Sequence, residues 1–140
     1  MELINPMGGG EGMEQLSLNA RIDNVLEKYK TDPFRRAKAL KRLLKEAEKT
    51  ADLFLIGKVN MLLANCILRQ GRRNKILAYS YKAVSIFENT KERALLARSY
   101  NLLGIAYSTQ GNYQRAVSYY NRAIQVTRGR DYPGAPMVAV

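Results

Sequence analysis

Apolar residues recur along this chain at intervals of three and four, and six stretches keep the pattern long enough to predict a helix. From Glu14 to about Lys30 the stripe is Leu18, Ile22, Val25, Leu26 and Tyr29. Thr31-Asp32-Pro33 ends that helix and opens the next, with Asp32 placed to cap free amides and Pro33 at the first helical position. The second helix runs to about Lys49, with Ala37, Leu40, Leu44 and Ala47 on one face and Arg35, Arg36, Lys38, Lys41, Arg42 and Lys45 on the other. A third, about Ala51 to Gln70, turns Leu55, Ile56, Val59, Leu62, Leu63, Cys66 and Ile67 inward. So wide an apolar arc predicts the most buried helix, and Gly71 is placed to end it. The fourth, about Arg73 to Glu88, carries Ile76, Leu77, Ala83, Val84 and Phe87, and Asn89 to about Lys91 leads on from it. The last two run from about Glu92 to Gln110 and from Tyr113 to Arg128, around a turn at Gly111. The expected class is all-α, in one helical domain over residues 14–130.

The two ends lack this periodicity. Met7-Gly8-Gly9-Gly10-Glu11-Gly12 has maximal backbone freedom, so residues 1–13 are expected to form a disordered leader. Its glycines have neither a strand before them nor a Lys-Ser/Thr after them, which argues against a phosphate-binding loop. Asp131-Tyr-Pro-Gly-Ala-Pro136 reads as a turn, and Met137-Val-Ala-Val140 follows Ala97 at an interval of forty. Residues 131–140 therefore look like a turn and the first turn of a further unit. The expectation is that the native chain continues, or else that Val126 and its neighbours are covered by a second chain.

The final helix pair carries the most specific pattern. Tyr100, Leu103, Gly104 and Tyr107 are followed by Ala116, Tyr120 and Ala123. Large residues three and seven apart make one stripe, and small ones stand where two helices cross closely. This spacing resembles the tetratricopeptide repeat, with Tyr100 where Trp is typical and Arg128 where Pro usually closes the unit. An offset of forty brings Gly71 onto Gly111, Leu62 and Leu63 onto Leu102 and Leu103, Gln70 onto Gln110 and Ala83 onto Ala123. It also brings Leu44 onto Val84 and Ala47 onto Phe87. The interval exceeds the usual 34 residues and is similar to the longer repeats of bacterial signalling regulators. The resemblance implies a short right-handed solenoid of three antiparallel helix pairs, the first degenerate.

It also implies where a partner would sit, because in such repeats the first helix of each pair lines the concave surface. By position these residues are Lys58, Met61, Asn65, Leu68 and Arg69 in the second pair, and Arg98, Asn101, Ile105, Ser108 and Thr109 in the third. The degenerate first pair would offer Arg21, Val25 and Lys28. Cations, amides and a few apolar side chains suit an extended or helical acidic segment of a protein. Chaperone-binding members clamp a terminal carboxylate between cations; here Leu102 stands where the second cation would belong.

Composition sharpens the picture in one respect. The net charge is +11, and residues 1–27 hold only Arg21 against Glu2, Glu11, Glu14, Asp23 and Glu27. The remaining surface is therefore strongly basic and attracts acidic proteins or nucleic acid. Nucleic-acid binding through the face from Arg35 to Lys49 is the competing reading. Nine tyrosines among cations could form stacking platforms, yet Tyr100, Tyr107, Tyr113 and Tyr120 fall on packing positions, with Tyr79, Tyr81 and Tyr119 less determined.

The chain has no His and a single Cys. The commonest general base and metal ligand is absent, Cys66 lies on an apolar face, and no pair of carboxylates has a ligand spacing. No catalytic residue, metal or cofactor is expected. No apolar run reaches a bilayer-spanning length, so the expected setting is cytoplasmic, as a peptide-binding module of a larger signalling protein, with self-association through the uncapped last helix.

Overall fold

Four helix starts in this chain are set by polar side chains that accept hydrogen bonds from otherwise unpaired amides. The computed structural model describes residues 17–128. Ser17 Oγ accepts from the Ala20 amide at the start of α1 (Leu18–Lys28), and Asp32 from that of Arg35 at the start of α2 (Pro33–Thr50). Asp52 does the same for Leu55 in α3 (Leu53–Gln70), and Asn112 for Arg115 in α6 (Tyr113–Thr127). Between them, α4 (Ile76–Phe87) is entered from a 3₁₀ turn at Arg73–Lys75, and α5 (Arg93–Thr109) starts without a side-chain cap. The turn glycines forty residues apart have equivalent conformations, with φ of 80° at Gly71 and 81° at Gly111, a region where a Cβ would be strained.

The helices form three antiparallel pairs, α1/α2, α3/α4 and α5/α6, in an all-α repeat stack. The first helices touch one another in series, α1 to α3 and α3 to α5, whereas the second helices do not meet among the described residues. A layer whose helices are closer together lies inside the curve. That makes α1, α3 and α5 the inner layer, and α2 and α4 wedges between successive pairs.

α3 occupies the middle of the stack, and Leu55, Ile56, Val59, Leu62, Leu63, Cys66 and Ile67 are all buried as the pattern predicts. By length and composition this is the one described helix apolar enough to cross a bilayer, against the expectation of none. Cover from four neighbouring helices accounts for that composition here. A fully buried side chain such as Phe87 or Leu63 contributes about 2–3 kcal/mol.

Several inward assignments change. In α2 it is Leu43 that is buried, and Leu44 is half-buried. Leu77 is half-buried, while Ser80 is fully enclosed with its Oγ lacking a hydrogen-bond partner among the described residues. Arg36, assigned to the cationic face, turns back so that its guanidinium donates to the Leu26 carbonyl at 2.6 Å. Tyr113, assigned to packing, is 66% exposed because it stands in the first turn of the end helix. The expected leader at 1–13 and the segment 131–140 lie outside the described residues.

Candidate partner-binding surface

The residues expected to meet a partner lie on two inner-layer helices in direct contact. On α5, Arg98 and Asn101 are exposed, and neither has a hydrogen bond or ion pair among the described residues. Ile105 and Ser108 are half-buried beside them, and exposed Thr109 donates its hydroxyl to its own helix at Ala106 O, 2.7 Å away. On α3, Asn65 and Leu68 are half-buried and Arg69 is exposed. Most of these positions therefore reach the surface of the two helices at least in part.

Met61 does not belong to it. Its side chain is 1% exposed, although Asn101, forty residues on, is open. α3 has an inner-layer neighbour on each side, whereas α5 has one only on the α3 side. The same helical position is thus covered in the middle of the stack and bare at its end.

Two of the other cations already have partners. Lys58 Nζ donates to Asn19 Oδ1 at 2.8 Å, lies 3.7 Å from Asp23 Oδ1 and sits over the Phe54 ring. Arg69 donates to the Lys30 carbonyl at 3.2 Å. Both bonds tie α3 to the first helix pair, so these side chains stitch the stack. The residues offered by the first pair face another way. Arg21 makes a 2.7 Å pair with Glu46 of α2, and together with Asn24, Val25, Lys28 and Leu43 it borders a shallow, largely apolar depression of about 290 Å³. That depression lies between α1 and α2, away from the α3–α5 stripe. Leu102 is buried, so the position where a second clamp cation would stand belongs to the core.

The cationic face of α2 is flanked by two grooves. One, of about 140 Å³, is bordered by Lys38, Lys41, Arg72 and Lys75 over Ala37 and Ile67, with Phe34 at its rim. The other, of about 260 Å³, is bordered by Tyr29, Arg35, Lys38 and Arg42. Among the described residues no carboxylate lines either groove, and Phe34 is 61% exposed. Arg72 and Lys75 come from the turn before α4, and nothing in the linear pattern of α2 shows that they converge with Lys38 and Lys41.

Sequence reasoning also missed a tyrosine cluster where α4 meets the last pair. Tyr81 Oη lies 2.5 Å from Tyr107 Oη and 3.3 Å from Tyr119 Oη, and Arg115 donates to Tyr107 at 3.1 Å. Tyr107 and Tyr119 stack with centroids 5.7 Å apart, and Arg122 lies over Tyr119. The hydrogen bond to Tyr81, with burial second, raises the Tyr107 pKa. Burial, with a 2.7 Å hydrogen bond to Glu88, pushes Tyr100 up to about 12. These rings stack on one another and on cations, which occupies faces that a base would need. Burial also raises the Cys66 thiol, against opposing Arg36 and Arg69, so it stays protonated and behaves as a small apolar side chain. Among the described residues no cluster of three or more His, Cys, Asp or Glu is arranged to hold a metal.

A family profile described as tetratricopeptide repeat matches residues 55–128, which takes in the second and third helix pairs. Among solved structures, the crystal structure of the TPR domain of Arabidopsis FLU is similar, with a TM-score of 0.66 at 19% identity. The match covers 78% of this chain and 96% of that one, and at this identity it shows a shared fold. No curated protein matches.

Proposed function

The chain belongs to the tetratricopeptide repeat family, and from that premise we propose that it is a protein-interaction module that holds an acidic segment of a partner along α3 and α5. The observation that carries this reading is the pair Arg98 and Asn101: exposed, adjacent on the inner layer, and without partners among the described residues. A cation and an amide so placed give charge-assisted bonds to a carboxylate-bearing segment, while Ile105 and Leu68 supply apolar contact. The role is non-catalytic and cytoplasmic, within a larger signalling protein. The size of the native polypeptide on a blot addresses the last point.

An array of acidic peptides, followed by titration of the best binder, tests the groove. Arg98→Ala with Asn101→Ala should weaken binding at least tenfold with an unchanged circular-dichroism melt. Unaltered affinity in that double variant sinks the proposal.

A second reading has its own observation. Lys38, Lys41, Arg72 and Lys75 converge on one groove that no carboxylate lines among the described residues, a surface that suits the phosphates of a nucleic acid through charge and without sequence preference.

A further inference from the structure

Positions forty residues apart are equivalent in this stack, and the last helix differs from the two before it in what lies over its outward stripe. Ala37, Leu77 and Val117 form one equivalent set, and Leu44, Val84 and Ile124 another. In α2 and α4 these positions are sheltered by the following first helix: Ala37 and Val84 are each 4% exposed, and Leu77 and Leu44 are half-buried. On α6, Val117 is 54% exposed and Ile124 47%. With Tyr113 they stand at i, i+4 and i+11 along one stripe, bordered at i+7 by half-buried Tyr120, whose ring lies against Gly104 of α5. The contrast between buried Met61 and open Asn101 repeats the pattern in the inner layer. An interface made twice inside the chain is thus bare after α6 among the described residues.

We propose that a second copy of this chain covers it, its α6 packed antiparallel on this one about a two-fold axis. Charge selects this occupant. On a chain of net charge +11, this face is cleared of cations: the stripe is flanked by Asn121 and Gln114, and no carboxylate or lysine occurs in α6. Arg115 and Arg122 turn to the opposite flank, where they lie over Tyr107 and Tyr119. An acidic partner would find its cations elsewhere on the molecule, whereas a copy needs a neutral contact. A two-fold contact is self-complementary, setting Tyr113 against the partner's Ile124 and bringing the two Val117 side chains close to each other near the axis. The two Arg128 side chains would stand about 28 Å apart along the helices at 1.5 Å per residue, well beyond the screening length of about 8 Å. One helix face is smaller than the roughly 800 Å² per partner of a standard interface, so the dimer is weak and reversible.

Sedimentation velocity on the full chain, across a micromolar concentration series at low and high salt, is the test. Self-association should appear with concentration and strengthen with salt, because salt screens the repulsion between whole molecules and leaves the apolar contact intact. Val117→Asp and Ile124→Asp, both at exposed positions, should each weaken it about tenfold or more without altering the helical signal. Mixing Val117→Asp with Val117→Lys should restore a mixed dimer, since the two sites face each other near the axis. A monomer under every condition overturns the proposal, whether Met137–Val140 or another protein then covers the face. So does a dimer indifferent to both substitutions. Arg98→Ala leaves this contact untouched, so the result is independent of the groove reading.

Discussion

Tyr120 of α6 lies across the backbone of Gly104 in α5, so closely that a Cβ at residue 104 would stand 2.5 Å from Tyr120 Cε1. The small residue and the aromatic ring are two halves of one contact, and it sets how near the last two helices approach. Two effects of opposite sign meet here. Alanine gains up to about 1 kcal/mol of helix propensity over glycine, but overpacking costs about 1–3 kcal/mol.

The clash should win, since three atoms of the ring lie within 2.9 Å of that Cβ. Gly104→Ala is expected to lower stability by about 1–2 kcal/mol in urea denaturation, and adding Tyr120→Leu should recover part of it. An equally stable Gly104→Ala would show that the ring moves aside freely.

This contact was legible in the sequence because it belongs to a local pattern: Tyr100, Leu103, Gly104 and Tyr107 need only the helical period and one partner helix. The same holds for the buried arc of α3, where Val59, Leu63 and Cys66 face neighbours in any arrangement of a central helix. What the sequence left open depends on the stack. Met61 and Asn101 hold the same helical position, and only the presence of a following first helix decides which is covered. Arg36 reads as one more cation on a basic face, yet its reach to the Leu26 carbonyl depends on how α1 and α2 cross. The convergence of Arg72 and Lys75 on Lys38 and Lys41 is equally a property of the turn between pairs.

Tyr100 gives a prediction in alkaline solution. Its pKa is about 12 in the folded chain against an ordinary 10, so the unfolded chain loses this proton first. The contribution is fully present below pH 10 and is lost as pH rises towards 12. At pH 11 the loss should be on the order of 1 kcal/mol, one pKa unit. Tyr100→Phe forfeits the hydrogen bond to Glu88, worth about 1 kcal/mol, at every pH below that window. The stability gap between the two proteins at pH 8 should therefore close by pH 11. A constant gap in urea midpoints would count against the assignment of this shift to Tyr100.

The basic face predicts a salt signature. If Lys38, Lys41, Arg72 and Lys75 meet phosphates, log affinity for a single-stranded oligonucleotide should fall with log salt by roughly 0.7 per phosphate contacted. Lys38→Glu with Lys41→Glu should then flatten the slope by about 1.4 and leave peptide binding on α5 unchanged. Fluorescence anisotropy with oligonucleotides of two unrelated sequences should give the same curve. A slope that survives the double substitution would move phosphate binding elsewhere on the chain.

The turn between the first two pairs holds a residue in a conformation it does not favour. Ala51 has φ of 61°, and it is the one described non-glycine residue with positive φ. The Asp52 cap and the close packing of α2 on α3 hold the chain there. Left-handed backbone costs an L-residue about 1–2 kcal/mol, whereas glycine adopts it freely and gives up about 0.5–1 kcal/mol to the flexibility of its unfolded chain. The strain relief should exceed the entropy. Ala51→Gly is thus expected to stabilise the protein by up to about 1 kcal/mol, a rise of a few degrees in Tm for a domain of this size. Ala51 is exposed, so no lost packing obscures the result. A lower Tm for Ala51→Gly would show that the turn is less strained than its φ indicates.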